Sequence, residues 1–243
     1  MITTAMSYCS FAQVKPDSLL RANGERWTGT QHKELSSFGK PSFGAFTTIS
    51  VFKIDTPQIS KQSDAARNSS IESSGGKPTF NQTKTADKEK TTWYRLLLSN
   101  GTDTTVAEFA ITTITRKEKR TLLGFIFGKT DTDSNRDYFY NRNVEGSIGT
   151  TADSVPAVFS LSGYVNRRVG SGYFKLRNDS LTVQTWNESG FSAEIVLADV
   201  NRNHVASVFF NMNEIEVYIL KDTDNSFKQA VTALFAVIVS IKN

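Results

Sequence analysis

The chain has 243 residues, with 38% of them hydrophobic, five prolines and a net charge of +4. Its single cysteine, Cys9, excludes an internal disulfide framework, and two histidines, His32 and His204, are too few for a convincing metal cluster. The charge is uneven: residues 1–90 hold 12 Lys+Arg against 8 Asp+Glu, while residues 91–243 hold 16 of each. A nucleic-acid footprint would place the excess on the folded domain, so no nucleic-acid partner is expected.

Residues 1–42 are poorly periodic and read as an irregular N-terminal arm, with turn signals at Asn23-Gly24 and Thr28-Gly29. The opening MITTAMSYCSFAQ has no basic n-region and no long apolar h-region, so no signal peptide is read and a cytoplasmic location is expected. Residues 43–54, FGAFTTISVFKI, alternate on both parities and form the expected first strand. Residues 55–91 are rich in Ser, Lys, Asp and Gln and nearly devoid of apolar side chains. Such a segment cannot bury enough surface to order itself, and a disordered insert or linker is expected.

From residue 92 onward short strands alternate with turns. WYRLLL (93–98) ends at Asn100-Gly101, a hairpin signal. TVAEFAITTIT (105–115), the charged tract Arg116-Lys117-Glu118-Lys119-Arg120, and TLLGFIF (121–127) follow, the tract being read as a loop. Then come DYFY (137–140), AVFSLSGYV (157–165), GYFKLR (172–177), LTVQTW (181–186), FSAEIVLAD (191–199), HVASVFF (204–210) and EIEVYIL (214–220). Strands at this spacing argue an antiparallel sandwich or barrel.

The chain closes on NSFKQAVTALFAVIVSI (225–241), apolar on every side from Ala230 apart from Thr232 and Ser240. It falls short of the ~20 apolar residues that span a bilayer, so burial is expected and no transmembrane segment. Asp222, Thr223, Asp224 and Asn225 offer N-cap oxygens and favour a helix, although the Val/Ile content also suits a strand. About eleven strands closed into a barrel leave a lumen wider than side chains fill, and this segment is the candidate to occupy it. The expected fold is mainly β: a closed antiparallel barrel of about 11–12 strands over residues 92–243, with strand 43–54, enclosing the C-terminal α-helix.

A many-stranded antiparallel barrel around one apolar C-terminal helix resembles the tubby C-terminal domain, and the segment order from Gly172 to Asn243 is similar to that of LURP-one-related and scramblase-like proteins. The resemblance implies a binding module rather than an enzyme. It implies contact with acidic phospholipid (phosphoinositide) headgroups through basic surface residues, by order and character Arg116, Lys117, Lys119 and Arg120. A second basic pair, Arg167-Arg168, joins them if the fold brings the two loops to one end. The alternative is a structural or scaffold subunit with the barrel as docking body and residues 1–90 as an arm for protein partners. A third reading is an empty barrel that carries an apolar ligand.

Other motifs fall away. Gly124-Phe-Ile-Phe-Gly128-Lys129-Thr130 has one residue too few for a phosphate loop and no helix after it. Asp131-Thr-Asp133-Ser-Asn135-Arg-Asp137 imitates a calcium loop but has Arg136 and Arg142 where Gly and Glu are required. No cofactor, metal or catalytic residue is expected.

Overall fold

The computed structural model describes residues 18–32, 40–54, 60–62, 66–74, 77–124, 130–151, 155–163, 171–189, 192–210 and 214–241. A short helix α1 (Ser18–Asn23) leads into strands β1 (Gly24–His32), β2 (Lys40–Phe43), β3 (Phe46–Lys53), β4 (Ser60–Gln62) and β5 (Ala66–Ser74). Three long strands follow: β6 (Lys77–Ser99), β7 (Thr104–Gly124) and β8 (Thr130–Gly149). The set is completed by β9 (Ala157–Leu161), β10 (Gly172–Leu176), β11 (Asp179–Ser189), β12 (Ser192–Ala198), β13 (His204–Phe210), β14 (Ile215–Leu220) and helix α2 (Asn225–Ile241).

The sheet runs β3-β2-β1-β14 and on down in sequence order to β6, and β3 then pairs with β6 from Thr47↔Ser99 to Lys53↔Tyr94. That last pairing closes a 12-strand antiparallel barrel. Inward positions are apolar on nearly every strand: Phe43, Leu98, Phe109, Phe159, Phe174 and Val217 are among the fully or almost fully buried ones. Outward positions such as Glu108, Glu145, Lys175, Gln184 and Glu216 are exposed or half-buried, so one face of the sheet is wet and the other dry.

Helix α2 fills the lumen. All thirteen residues from Gln229 to Ile241 are buried, whatever face of the helix they occupy. A helix apolar all round is stable only when enclosed, and each Val, Leu, Ile or Phe so buried contributes about 1.5–3 kcal/mol. Because the lumen is occupied by the helix, the barrel is not an empty carrier of an apolar ligand. Thr232, at 0% exposure, donates its hydroxyl to the Lys228 carbonyl at 2.6 Å, the usual solution for a hydroxyl inside a helix.

The helix enters at one defined end of the barrel. Asp224 is its N-cap: Oδ1 accepts the Phe227 amide at 2.6 Å, and Oδ2 accepts from Arg177 Nη1 at 2.9 Å. Lys228 Nζ donates to Glu25 at the start of β1 (2.8 Å), and Gln229 Nε2 donates to Asp103 in the β6–β7 turn (3.3 Å). From that turn β6 and β7 run the length of the barrel and leave it at the opposite end.

Three expectations are corrected. Residues 1–17 and 33–39 lie outside the described residues, but within 1–42 residues 18–32 and 40–42 are not irregular: β1 lies in the barrel wall between β2 and β14, in register from Gly24↔Leu220 to Gly29↔Ile215. Its inner face hides the strand signal, because Glu25 meets Lys228 and Gly29 stands where a Cβ would lie 2.8 Å from Phe43 Cδ1. The stretch 43–54 is not one strand and not the first, since Gly44, at φ +54, turns β2 into β3. Within 55–91, residues 60–62, 66–74 and 77–91 are strand rather than a disordered insert, laddered through the β4–β6, β5–β6 and β6–β7 pairings, and the rest of the stretch lies outside the described residues.

Leu234 and Phe235 have no exposed surface. A buried unpaired charge there costs several kcal/mol against a domain stability of roughly 5–15 kcal/mol. Leu234→Asp or Phe235→Asp is expected to abolish cooperative thermal unfolding by circular dichroism, whereas Leu234→Ala should leave a folded protein about 2–5 kcal/mol less stable. A folded Asp variant would place the helix outside the barrel. Asp224 gives a pH test: the Phe227 amide, and then Arg177, hold its carboxyl below the usual range. Its contribution is present above the unfolded-state value near 4 and is lost as pH falls through the depressed folded value. Asp224→Ala should therefore cost about 0.5–2 kcal/mol at pH 7, with the gap from wild type closing in denaturant melts as pH drops below about 4.

Candidate functional site

Strands β6, β7 and β8 are 23, 21 and 20 residues long, far more than the barrel uses. β3 pairs with residues 94–99 of β6, and β9 with residues 144–148 of β8. The remaining lengths pair with one another and, on the β6 side, with β4 opposite 88–90 and β5 opposite 77–85. The result is a sheet arm continuous with the barrel wall. At about 3.3 Å per residue the free part of β6 reaches on the order of 50 Å.

The arm has no packed core among its described side chains. None of residues 85–92, 112–117 and 141–143 is buried. It is held by backbone ladders and by cross-strand side-chain pairs. Arg116 grips Asp87 with two hydrogen bonds, Nε to Oδ1 at 2.8 Å and Nη2 to Oδ2 at 2.9 Å, and the Arg116 hydrogen bond holds the Asp87 carboxyl below its usual range. Thr91 and Thr112 share a hydroxyl bond at 2.9 Å. At the root of the arm, Arg95 pairs with Glu108 and stacks over Phe52, ring centroid 5.9 Å away, beside the 40%-exposed Trp93.

The arm also gathers the charge. Among the described residues, 60–62, 66–74 and 77–92 hold six Lys+Arg against three Asp+Glu, and 112–124 and 130–143 hold six against four. The arm therefore carries an excess of five positive charges on a chain whose net charge is +4. The sequence split at residue 90 hid this, because the two basic halves lie far apart in sequence and meet only through the β6–β7 register.

The expected site residues are placed differently from the expectation. Arg116, Lys117, Lys119 and Arg120 are not in a loop: they lie inside β7, opposite residues 83–87 of β6 and 134–138 of β8. Successive strand residues fall on opposite faces, so Arg116 and Arg120 share one face and Lys117 and Lys119 the other. Arg116 is occupied by Asp87, and Lys117 is exposed. Arg167 and Arg168 lie outside the described residues. The calcium-like stretch from Asp131 to Asp137 is part of strand β8.

Sequence reasoning missed Lys84, Lys88 and Lys90, which lay in the supposed insert. Their signal was legible: Asp87-Lys88-Glu89-Lys90 alternates in sign with period two, the mark of a strand with one acidic and one basic edge of the pleat. No group of three or more His, Cys, Asp or Glu residues forms a metal site among the described residues, and none of the described helices is long and apolar enough to cross a membrane. No protein-family model, curated protein or solved structure matches the chain.

Proposed function

We propose that this chain is a non-enzymatic docking protein that associates with acidic phospholipid headgroups at a membrane surface. The helix-filled barrel serves as a rigid body and the β arm makes the contact. The observation that carries the proposal is the placement of charge, five excess positive charges on a sheet that extends past the barrel and has no buried residue among its described side chains. Each Lys or Arg near an anionic leaflet contributes about 1 kcal/mol, and the attraction is screened by salt. A barrel wrapped around an apolar C-terminal helix supports kinship with the tubby-like barrels, whose phosphoinositide binding is the analogy behind the lipid. On this reading the protein is cytoplasmic and peripheral to a membrane.

A second reading, a scaffold subunit of a larger assembly, is favoured by one observation. On the outer side of β8 the described partner is β9, which pairs only with residues 144–148 and leaves residues 130–143 as a strand edge. Exposed edges of this length invite a strand from another chain. The interaction element would then be the β8 edge of the arm, residues 130–143, rather than residues 1–90.

Sedimentation of the full chain with vesicles decides between them. Docking predicts co-sedimentation with phosphatidylserine-containing vesicles in 50 mM salt, release by about 0.5 M salt, and none with pure phosphatidylcholine. Equal binding to both lipids contradicts it. A chain that ignores both and self-associates with rising concentration supports the scaffold.

A further inference from the structure

The arm has two unlike faces, and the strand registers decide which residues share each one. On the face that continues the barrel's outer surface, opposite charges stand side by side. Asp87 is in register with Arg116, Glu89 with Lys61, and Glu118 with Arg136. The face that continues the lumen wall is different. Across the sheet, Arg67, Lys84 and Lys119 occupy one row. Nearer the barrel, Lys117 and Lys88 follow, and Lys90 shares the last row with Arg142 through Thr113. Asp137, in register with Lys117, is the acidic residue placed among them. Lys88, Lys90 and Lys117 are exposed.

Like charges at directly opposed register positions are unfavourable, so a face that collects basic positions, with Lys88 and Lys90 exposed on it, favours an anion from outside. The same face ends, at the tip of the arm, in an apolar row: Ile71, Phe80 and Leu123 are in register. A basic field that runs into an apolar edge is the composition of a membrane-interface element.

We propose that the lumen-side face of the arm is the lipid-binding face, with its lysines on anionic headgroup phosphates and its distal row Ile71–Phe80–Leu123 entering the interface. This rests on the docking function proposed above and adds which face makes the contact.

The test compares two variants with the same change in net charge, in full-length protein with vesicles of phosphatidylserine and phosphatidylcholine. Lys88→Glu/Lys90→Glu reverses two charges on the lumen-side face, and Lys77→Glu/Arg120→Glu reverses two on the other. The first is expected to weaken vesicle binding by about 30-fold or more and the second by less than about 3-fold. Thermal melts check that both stay folded, and Lys88→Gln/Lys90→Gln replaces the first pair if it does not, with a loss of about 10-fold expected. Phe80→Ser/Leu123→Ser, remote from the barrel core, is expected to weaken binding in salt that screens the lysines. Equal loss in the two charge variants overturns the face assignment and leaves the docking function standing. A wild type that ignores anionic vesicles overturns both. Displacement of bound vesicles by single-stranded RNA, with the RNA held by Lys88 and Lys90, overturns the choice of a lipid.

Discussion

Everything in this molecule depends on the burial of α2 within the barrel. Twelve strands make a ring too wide to be closed by its own side chains, and a 17-residue apolar helix cannot remain in water. Each is unstable without the other, so the two must form together. The chain order makes this non-local in the extreme. β1 pairs with β14, and Lys228 reaches Glu25 across about the whole chain. Folding is therefore expected to be slow and highly cooperative within the barrel.

The same dependence does not extend to the arm. Beyond the rows at Thr92 and Ile111 the sheet loses its inner partner, and the described residues no longer bury anything. A few cross-strand pairs, Arg116 with Asp87 among them, and a long ladder hold it, and a sheet without a packed face is marginal in water. On the function proposed above, such an element is stabilised by the surface it meets. That gives a division of labour: the barrel contributes rigidity, and the arm contributes reach and charge.

The fold was legible in the sequence where burial wrote it. Strands β10 and β11 alternate because one face of each lines the lumen, β12 reads as a nearly continuous apolar run because both of its faces are buried, and the helix betrays itself by having no polar side. Asp224 could be named among four candidate caps, though only the coordinates select it. Legibility failed where a strand is specified by something other than burial. In β1 the inner positions are Glu25, which meets Lys228, Trp27, which packs on the core, and Gly29, which makes room for Phe43, so a single apolar residue carries the inward signal. In residues 84–91 of the arm both parities are polar or small, so a hydrophobicity rule reads disorder in a segment whose period-two signal is carried by charge. The basic tract was found but misplaced: Arg116 to Arg120 looked like a hairpin end because charges interrupt an apolar pattern, yet β7 runs straight through them. Register, which no single segment encodes, then divides the cations between two faces.

Native-state hydrogen exchange of α2 tests the central claim most directly. If the helix is locked inside a closed barrel, its amides from Ala233 to Val239 should exchange only through global unfolding. Their opening free energies should then match the stability from denaturant melts, within the roughly 5–15 kcal/mol of a domain. Exchange of those amides through local opening several kcal/mol below the global value would contradict it, because a helix that frays while the barrel stays closed is not what holds the barrel together.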